Sequence, residues 1–257
     1  MSSVSRLAAA KRVVLKVGSS SITGANEANL QLIADFAHRM AIAGKELVVV
    51  SSGAIATAAP LIGLTIKSED LPTSQALASI GQAKLMGRYE RALAIHDLMP
   101  GQILLTVDNL EQPHTAQNAL LAIERLLEIG VVPIINENDS VATSEIRFGD
   151  NDQLAAKVAR LLSADLLILL SDIDSLYTRP PNEPGARRLE TIGVDFDVDS
   201  IEVSGSSTGY GTGGAVTKLV AARLATAAGI GVLLTETSNI QRLDSEDVTH
   251  TWFEPAV

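Results

Sequence analysis

Short apolar runs alternate with longer helical stretches along the chain, and this alternation constrains the fold more than any other feature. Strands that alternate with helices are typical of a mostly parallel sheet covered by helices on both faces. We therefore predict an α/β protein, a three-layer αβα sandwich. The predicted strands are Val13–Val17, Leu47–Val50, Ile103–Leu105, Val131–Ile135, Leu166–Leu170 and a final strand Val232–Leu234. The predicted helices are Asn29–Ala43, a long stretch within Leu71–His96, Pro113–Glu128, about Asp152–Leu162 and Thr217–Ala228.

The composition excludes several classes of function. The chain of 257 residues has no cysteine, so disulfides, thiolate metal sites and cysteine nucleophiles are ruled out. Its net charge of −10 argues against binding to nucleic acid or to an anionic membrane. No apolar run approaches the ~20 residues that span a bilayer. The N-terminal MSSVSRLAAAKR lacks the apolar core of a signal peptide, and we predict a frayed lead-in to the first strand. A cytoplasmic location fits these features.

Small polar residues follow five of the predicted strands. In open α/β sheets, ligands bind outside the carboxyl ends of the strands. Because these ends are expected to share one edge, the polar residues should gather there. They are Lys16–Ser19, Ser51–Gly53, Asn136–Asp139, Ser171–Asp172 and Thr235–Glu236.

Two glycine-rich motifs carry a lysine and are suited to phosphate. In KVGSSS, Gly18 lets the backbone approach a ligand, and Lys16 can stabilise charge on a transferring phosphoryl group. In GTGGAVTK, glycines precede a helix whose first turn holds Lys218, where the helix dipole disfavours a cation, which suggests a bound anion. The alternatives are a turn with a solvated lysine and a flexible surface loop. KVGSSS is not a Walker A loop.

The motif VSSGAIA can donate hydrogen bonds to a carboxylate or phosphate. The alternative is that Ser52 caps the following helix. A serine hydrolase is excluded, because G-x-S-x-G is absent and no histidine is evidently linked to this turn.

The polar run from Asn136 to Asp152 could bind an amino acid, since amides bind both carboxylate and ammonium groups and aspartates accept from ammonium. A solvated face is the alternative. Apolar residues interrupt the run, so we predict a folded hairpin. Asp172, at a strand end, suits contact with nucleotide or metal, with an Asx turn as the alternative.

Taken in order, these motifs resemble the amino-acid kinase superfamily and, within it, the glutamate 5-kinases. The matching segments run from Lys16 to Lys218, and the block INENDSVAT…GDND is the most specific. The resemblance implies one amino-acid kinase domain over residues 1–257. Its glutamate-binding part would span roughly 13–165 and its ATP-binding part roughly 166–257. Many members also carry a C-terminal PUA domain, which we do not expect here.

The resemblance also implies roles for single residues. Lys16 and Lys218 would stabilise the phosphoryl group in flight, and Asp152 would orient them. Gly18 and Gly53 would supply backbone donors on the two sides of that group. Ser52, Asp139 and Asn151 would bind glutamate. The ATP site would comprise Lys16, Ser171, Asp172, Thr212, Gly213, Gly214, Ala215, Val216, Thr217 and Lys218.

The activity that the resemblance implies is phosphorylation of the γ-carboxylate of L-glutamate by ATP, the first step of proline biosynthesis. Mg²⁺ would be held mainly by the ATP phosphates, without dedicated protein ligands. Proline is the implied feedback inhibitor, and a homo-oligomer and handover of the product to glutamyl-phosphate reductase are the implied associations. The alternatives are a related amino-acid kinase with another acceptor and a non-catalytic sensor of amino acid and nucleotide.

Four residues depart from the pattern of the glutamate 5-kinases. Ala58 and Ser175 stand where glycine is usual, Ala215 stands where methionine is usual, and Arg147 stands where lysine is common. None of them removes a predicted catalytic group.

Overall fold

The computed structural model describes residues 2–63, 70–141, 151–179, 182–196 and 215–256. The predicted hairpin after Asp139 falls largely on residues 142–150, outside the described residues. The helices are α1 Ser3–Ala9, α2 Asn29–Ile42, α3 Ala54–Ala58, α4 Leu71–Ala94, α5 Val107–Glu111, α6 Pro113–Glu128, α7 Asn151–Leu161 and α8 Ala215–Thr226. The strands are β1 Arg12–Val17, β2 Glu46–Ser51, β3 Pro100–Leu105, β4 Val132–Glu137, β5 Leu166–Ser171, β6 Leu176–Tyr177, β7 Arg188–Leu189, β8 Thr191–Ile192, β9 Gly231–Glu236 and β10 Thr251–Phe253.

The main sheet contains eight strands in the order β3-β4-β2-β1-β5-β9-β10-β8. The six strands from β3 to β9 in this order pair in parallel, and β10 runs antiparallel to β9. Consequently β1, β2, β4, β5 and β9 end at one edge, as predicted. The prediction of Val232–Leu234 as the final strand is wrong, because β10 follows and extends the sheet past β9.

Helices cover both faces of the sheet, which confirms the three-layer α/β sandwich. One apolar cluster joins residues of β1, β2 and β5 to α1, α2 and α4, and a second joins the opposite faces of those strands to α6, α7 and α8. Side chains alternate between faces along a strand. Val13, Leu15 and Val17 pack in the first cluster and Val14 packs in the second. Lys16, two residues after Val14, therefore lies on the same face of the sheet as Val14, the face that carries α7 and α8.

The N-terminal segment is the helix α1, so the prediction of a frayed lead-in is wrong. Ser2 caps the helix by accepting a hydrogen bond from the backbone N–H of Ser5. At the other end, Lys45 Nζ donates to the carbonyls of Leu7, Ala8 and Ala10 at 3.0, 2.8 and 2.5 Å. The Leu7 carbonyl also accepts from the backbone N–H of Ala10, and a cation near the carbonyls at the end of a helix is favourable. Tertiary contacts therefore fix a helix that is too short to be stable alone.

Helices α3 and α4 approach each other at a glycine. A Cβ atom at Gly81 in α4 would lie 1.7 Å from the carbonyl oxygen of Ala54 and 3.2 Å from the methyl group of Ala58. The backbone of α4 thus rests directly on the first turn of α3, which follows β2 at the carboxyl edge. Ala58, where the glutamate 5-kinases usually have glycine, is fully buried in this contact.

No helix within the described ranges is long and apolar enough to cross a membrane.

Candidate active site

Three charged side chains from three separate elements meet at the carboxyl edge of the sheet. Lys16 belongs to β1, Asp152 to the first turn of α7 and Lys218 to the first turn of α8. Lys16 Nζ lies 2.6 Å from Asp152 Oδ1, and Lys218 Nζ lies 3.4 Å from Asp152 Oδ2. The three residues are 4%, 0% and 5% exposed. One carboxylate therefore holds two ammonium groups in a site nearly closed to water; we call these three residues the charged triad.

Burial and mutual charges within the charged triad shift the pKa values of Asp152 and Lys218. Burial opposes ionisation of Asp152, but the charges of Lys16 and Lys218, with hydrogen bonds from Lys16 and Thr217, outweigh burial and lower the pKa of this carboxyl group to about 2. The Thr217 bond runs from Oγ1 to Asp152 Oδ2 at 2.8 Å. Burial lowers the pKa of Lys218; Asp152 opposes this shift and the charge of Lys16 adds to it. Asp152 is therefore ionised at neutral pH and is the counter-charge for both lysines.

The positions of the two lysines bear on the interpretation of both glycine-rich motifs. The interpretation of Lys16 as a solvated lysine is wrong, because the side chain is buried. Lys218 does lie at the N-terminal end of a helix, where the dipole disfavours a cation. The carboxylate of Asp152 offsets this cost. The negative charge that the sequence indicated near Lys218 is therefore supplied, at least in part, by the protein itself.

The turn after β2 lies against the turn after β1. Gly53 has φ +103°, in the left-handed region that glycine adopts without strain. A Cβ atom there would lie 3.3 Å from Thr23 Cγ2 and 3.6 Å from Ser19 Cα. Gly53 is itself the residue before α3, and no side chain caps that helix. The alternative role of Ser52 as a helix cap is therefore wrong, and its half-buried side chain forms no capping hydrogen bond.

Gly18 keeps a space open beside the charged triad. A methyl group on its Cα would lie 3.7 Å from Lys16 Nζ and 3.8 Å from Ser21 Oγ. The glycine thus leaves its own backbone accessible next to the Lys16 ammonium group. An anion in this space would meet a cation and a hydroxyl group together.

A chain of amide groups lies behind the turn of Ser51 and Ser52. Asn151 Nδ2 donates to the Ser51 carbonyl at 2.8 Å and to Asn136 Oδ1 at 2.7 Å. Asn136 Nδ2 in turn donates to Gln82 Oε1 at 2.7 Å. Because the Ser51 carbonyl can only accept, the amide orientation of Asn151 is fixed, and both of its N–H groups are committed. Asn151 therefore has only its carbonyl oxygen left for a ligand.

Asp139 lies two residues beyond the end of β4 and is partly buried. Burial raises the pKa of its carboxyl group to about 6. A carboxylate in such surroundings gains from a cationic ligand, because the ligand offsets the lost hydration.

The predicted nucleotide residues are only partly described. Ser171 is buried at the end of β5 and donates from Oγ to Oδ1 of the exposed Asp172 at 3.1 Å. The negative charge of Asp172 acts on Lys218 and favours its protonated form. Thr217 lies at the charged triad, and Val216 is 56% exposed. Thr212, Gly213 and Gly214 lie outside the described residues, as does the side chain of Ala215.

Ser175, where glycine is usual in the glutamate 5-kinases, forms a buried contact. Its hydroxyl group lies 2.8 Å from Thr251 Oγ1, which donates to the Leu189 carbonyl at 2.7 Å. This pair ties the segment after Asp172 to β10.

Sequence reasoning missed several residues around this edge. The amide chain includes Asn136, which was predicted only as part of a longer polar run, and Gln82, which was not predicted; Ser21 and Thr237 were not singled out either. For Asn136, its position directly after an apolar run was a usable signal. In the described part of the chain, no group of three or more His, Cys, Asp or Glu could hold a metal ion.

Comparisons with known proteins agree with this architecture. The model of a family described as "Amino acid kinase family" matches residues 11–236. This chain belongs to the amino acid kinase family. A family member from Clavibacter michiganensis subsp. michiganensis named "Glutamate 5-kinase" is 52% identical over 97% of this chain and 96% of its own length. Proteins of the same name from Leifsonia xyli subsp. xyli and Salinispora arenicola are 47% and 46% identical, over 93% and 69% of their own lengths and 98% of this chain.

Two solved structures share the fold. A structure described as carbamate kinase from Giardia lamblia bound to AMP-PNP has a TM-score of 0.67 at 16% identity, over 97% of this chain and 100% of its own. A structure of isopentenyl phosphate kinase has a TM-score of 0.63 at 22% identity, over 94% and 99%. At these identities the likeness establishes the fold alone.

Proposed function

We propose that this chain is a glutamate 5-kinase, which transfers the γ-phosphoryl group of ATP to the side-chain carboxylate of L-glutamate. The products would be ADP and glutamyl 5-phosphate, in the first step of proline biosynthesis. The charged triad is the observation that carries the proposal, because two buried ammonium groups on one carboxylate suit a migrating phosphoryl group. The names of the relatives support glutamate as the acceptor.

The reaction needs charge stabilisation more than proton transfer. The γ-carboxylate of glutamate is ionised at neutral pH and attacks phosphorus without a general base. As the bond from phosphorus to the β-γ bridging oxygen breaks, negative charge grows on that oxygen and remains on the equatorial oxygens. Lys16 and Lys218 would face these oxygens, while Asp152 keeps both lysines in place before the substrates arrive. Backbone N–H groups at Gly18 and Gly53 would donate from the two sides.

The glutamate site would be built from Ser52, Asp139 and Asn151. The α-ammonium group of the substrate needs acceptors, and two of these residues supply them. Asn151 has only its carbonyl oxygen uncommitted, and Asp139 gains from a cationic neighbour. Ser52 would donate its hydroxyl hydrogen to a substrate carboxylate. Residues 13–165 would form the glutamate part of the domain.

The nucleotide would bind at residues 166–257, through Ser171, Asp172 and the segment from Thr212 to Lys218. Mg²⁺ would enter with the ATP phosphates. The side chains around the charged triad fit this assignment, because ammonium and hydroxyl groups bind phosphate oxygens, whereas Mg²⁺ prefers oxygen anions such as those phosphates. When bound, Mg²⁺ neutralises charge on the phosphates.

Further associations belong to the same proposal. Proline would inhibit by competing near the glutamate site, the protein would act in the cytoplasm as a homo-oligomer, and glutamyl-phosphate reductase would consume the labile acyl phosphate.

A coupled assay of ADP release tests the proposal. Turnover with Mg²⁺ and ATP should depend on L-glutamate, and aspartate and N-acetylglutamate should give little. Turnover with another acceptor instead would identify a related amino-acid kinase. Nucleotide binding without turnover on any acceptor would identify a sensor and refute the proposal.

A further inference from the structure

We propose that Gln82 is a positioning residue of the glutamate site, which holds Asn151 through Asn136 so that the carbonyl oxygen of Asn151 meets the α-ammonium group of the substrate. The inference rests on the proposed function, because it assumes that Asn151 binds this ammonium group. Gln82 lies in α4, and the resemblance to the glutamate 5-kinases assigns it no role.

Hydrogen bonds of fixed direction connect Gln82 to Asn151. The Ser51 carbonyl can only accept, so the atom of Asn151 that lies 2.8 Å from it is the donor Nδ2. The same Nδ2 donates to Asn136 Oδ1 at 2.7 Å, and the backbone N–H of Glu137 donates to that oxygen at 2.9 Å. Asn136 must therefore face Gln82 with its own Nδ2, and the partner atom 2.7 Å away is Gln82 Oε1. Gln82 is thus the acceptor at the end of the amide chain.

The two asparagines of this chain are closed to water. Asn136 is 1% exposed and Asn151 is 4% exposed. A buried N–H group that lacks an acceptor is costly. Without an acceptor on residue 82, Asn136 could satisfy its Nδ2 only by rotating, and rotation would move the oxygen to which Asn151 donates. Gln82 therefore acts on Asn151 through Asn136.

Helix α4 holds Gln82 close to the turn after β2. The preceding residue, Gly81, packs against the backbone of α3, and a Cβ atom there would lie 1.7 Å from the Ala54 carbonyl oxygen. Ala54 begins α3 and directly follows Gly53. Because this contact leaves no room between the helices, it fixes the backbone from which the Gln82 side chain reaches Asn136.

The preference for an ammonium group follows from the atom that Asn151 presents. Its N–H groups are committed to the Ser51 carbonyl and to Asn136, so its carbonyl oxygen is the atom left for a ligand. This oxygen accepts from an ammonium group but gains nothing from a ligand that has no donor at that position. Loss of the Gln82 acceptor should therefore weaken recognition of the ammonium group more than recognition of the carboxylates.

The other end of the Gln82 amide makes a clean variant available. Its Nε2 atom is buried and has no hydrogen-bond partner in the part of the chain that the structure describes. Methionine is similar in length and has neither the oxygen nor the nitrogen. Gln82→Met would remove a favourable acceptor and an unsatisfied donor together, so the free energy of unfolding should change little.

Titration calorimetry with L-glutamate and glutarate tests the positioning role. Glutarate has both carboxylates of glutamate but no ammonium group. In Gln82→Met, L-glutamate should bind about threefold to tenfold more weakly, and the preference for L-glutamate over glutarate should fall by a similar factor. Gln117→Met is the matched control, because Gln117 is exposed on α6, and it should bind L-glutamate as the native protein does. Unchanged affinity for L-glutamate in Gln82→Met, or an equal loss for both ligands, overturns the inference.

A variant that keeps the acceptor provides a second test. In Gln82→Glu, a carboxyl oxygen can still accept from Asn136, so this variant should retain most of the L-glutamate affinity that Gln82→Met loses. An equal loss of affinity in the two variants would show that Oε1 is not the atom responsible.

Steady-state kinetics and urea unfolding of Gln82→Met distinguish positioning from a structural role. The KM for L-glutamate should rise while kcat stays nearly constant, because Gln82 acts at the α-ammonium end of the substrate. A fall in kcat at constant KM, or a loss of stability large enough to unfold part of the protein under assay conditions, overturns the positioning role.

Glutamate-dependent turnover of the unaltered protein separates this inference from the proposed function. Turnover whose KM for L-glutamate is the same in Gln82→Met refutes the inference and leaves the function standing. Binding of L-glutamate that Gln82→Met weakens, without turnover in the unaltered protein, refutes the function and supports the inference. A protein that neither binds nor turns over L-glutamate refutes both.

Discussion

Asp152 faces Lys16 with one carboxylate oxygen, at 2.6 Å, and uses the other oxygen to face Lys218 at 3.4 Å and to accept from Thr217 at 2.8 Å. The two lysines come from β1 and α8, which lie near opposite ends of the chain. Their separation in space is therefore fixed by a single side chain on a third element. Changes at the lysines should therefore mainly reduce turnover, whereas a change at Asp152 should also reduce the free energy of unfolding.

Replacing a lysine of the charged triad should abolish most turnover while the fold persists. Lys16→Met and Lys218→Met keep the side-chain length and remove the charge, and we expect kcat to fall by about 10²–10³-fold or more. Asp152 would retain the other lysine and Thr217 as partners, so circular dichroism should be unchanged. Lys11→Met is the matched control, because Lys11 is exposed just before β1, at the opposite edge of the sheet. Activity of Lys16→Met equal to that of Lys11→Met would contradict the assigned role.

Asp152 should make the free energy of unfolding depend on pH in the acid range. Its folded pKa of about 2 lies below the ordinary value of 3.8, so its stabilisation is complete above about pH 4 and is lost as the pH falls towards 2. The shift corresponds to roughly 2 kcal/mol of unfolding free energy. Urea unfolding at pH 7 and pH 3 should show that Asp152→Asn lowers stability at pH 7 and shrinks the difference between the two pH values. In Asp244→Asn, which breaks a more exposed pair with Arg39, that difference should stay almost as in the native protein.

Glutamate affinity should follow the ionisation of Asp139. The pKa of this carboxyl group is raised to about 6 by burial, so below that pH it is mostly protonated and loses the negative charge that attracts the α-ammonium group. Affinity should therefore rise from pH 5 to pH 7 and level off above, as calorimetric titration with L-glutamate would measure. In Asp139→Asn the affinity should be weak and nearly independent of pH over this range. A flat profile in the native protein would show that Asp139 does not meet the ammonium group.

Two glycines of α4 provide a paired test of the contact with α3. Gly81→Ala would place a methyl group 1.7 Å from the Ala54 carbonyl oxygen, so the helices must separate. We expect a loss of several kcal/mol in unfolding free energy, or a raised KM for glutamate if Gly53 shifts with α3. Gly87→Ala meets only the flexible end of Arg91, at 3.6 Å, and should raise stability by about 0.5–1 kcal/mol. Thermal melts that rank the two variants in the opposite order would contradict this packing.

The sequence allowed the mostly parallel sheet and the polar edge to be predicted, because buried strands and capped helices leave strong local patterns. Pro113–Glu128 was predicted with its observed limits, since a proline begins the helix and a glycine closely follows its end. By contrast, α1 has no local pattern that predicts it, because Lys45 and the apolar core stabilise it from elsewhere in the chain. Strand β10 was missed for a similar reason: its three residues are a strand only because β9 and β8 pair with it.

The candidate active site, like the fold, could be predicted from the sequence only in part. Motifs identified the residues that the resemblance assigns, but the sequence could not state that Asp152 touches both lysines or that Asn151 has used both of its N–H groups. These facts depend on which side chains the sheet brings together. Ser21 and Thr237 lie far apart in the chain and share no sequence pattern, so only their contact in space relates them.

The distribution of the charged triad over β1, α7 and α8 also has a consequence for synthesis of the protein. The chain is made from its N-terminus, so Lys16 and Asp152 are both synthesised before Lys218, and a growing chain that ends after β5 holds the acid and only one of its two bases. Until α8 emerges, the sheet is also short of β9 and β10 on that side. Both lysines of the charged triad would then be present only once α8 has been made, so we expect phosphoryl transfer to require the chain at least to that point.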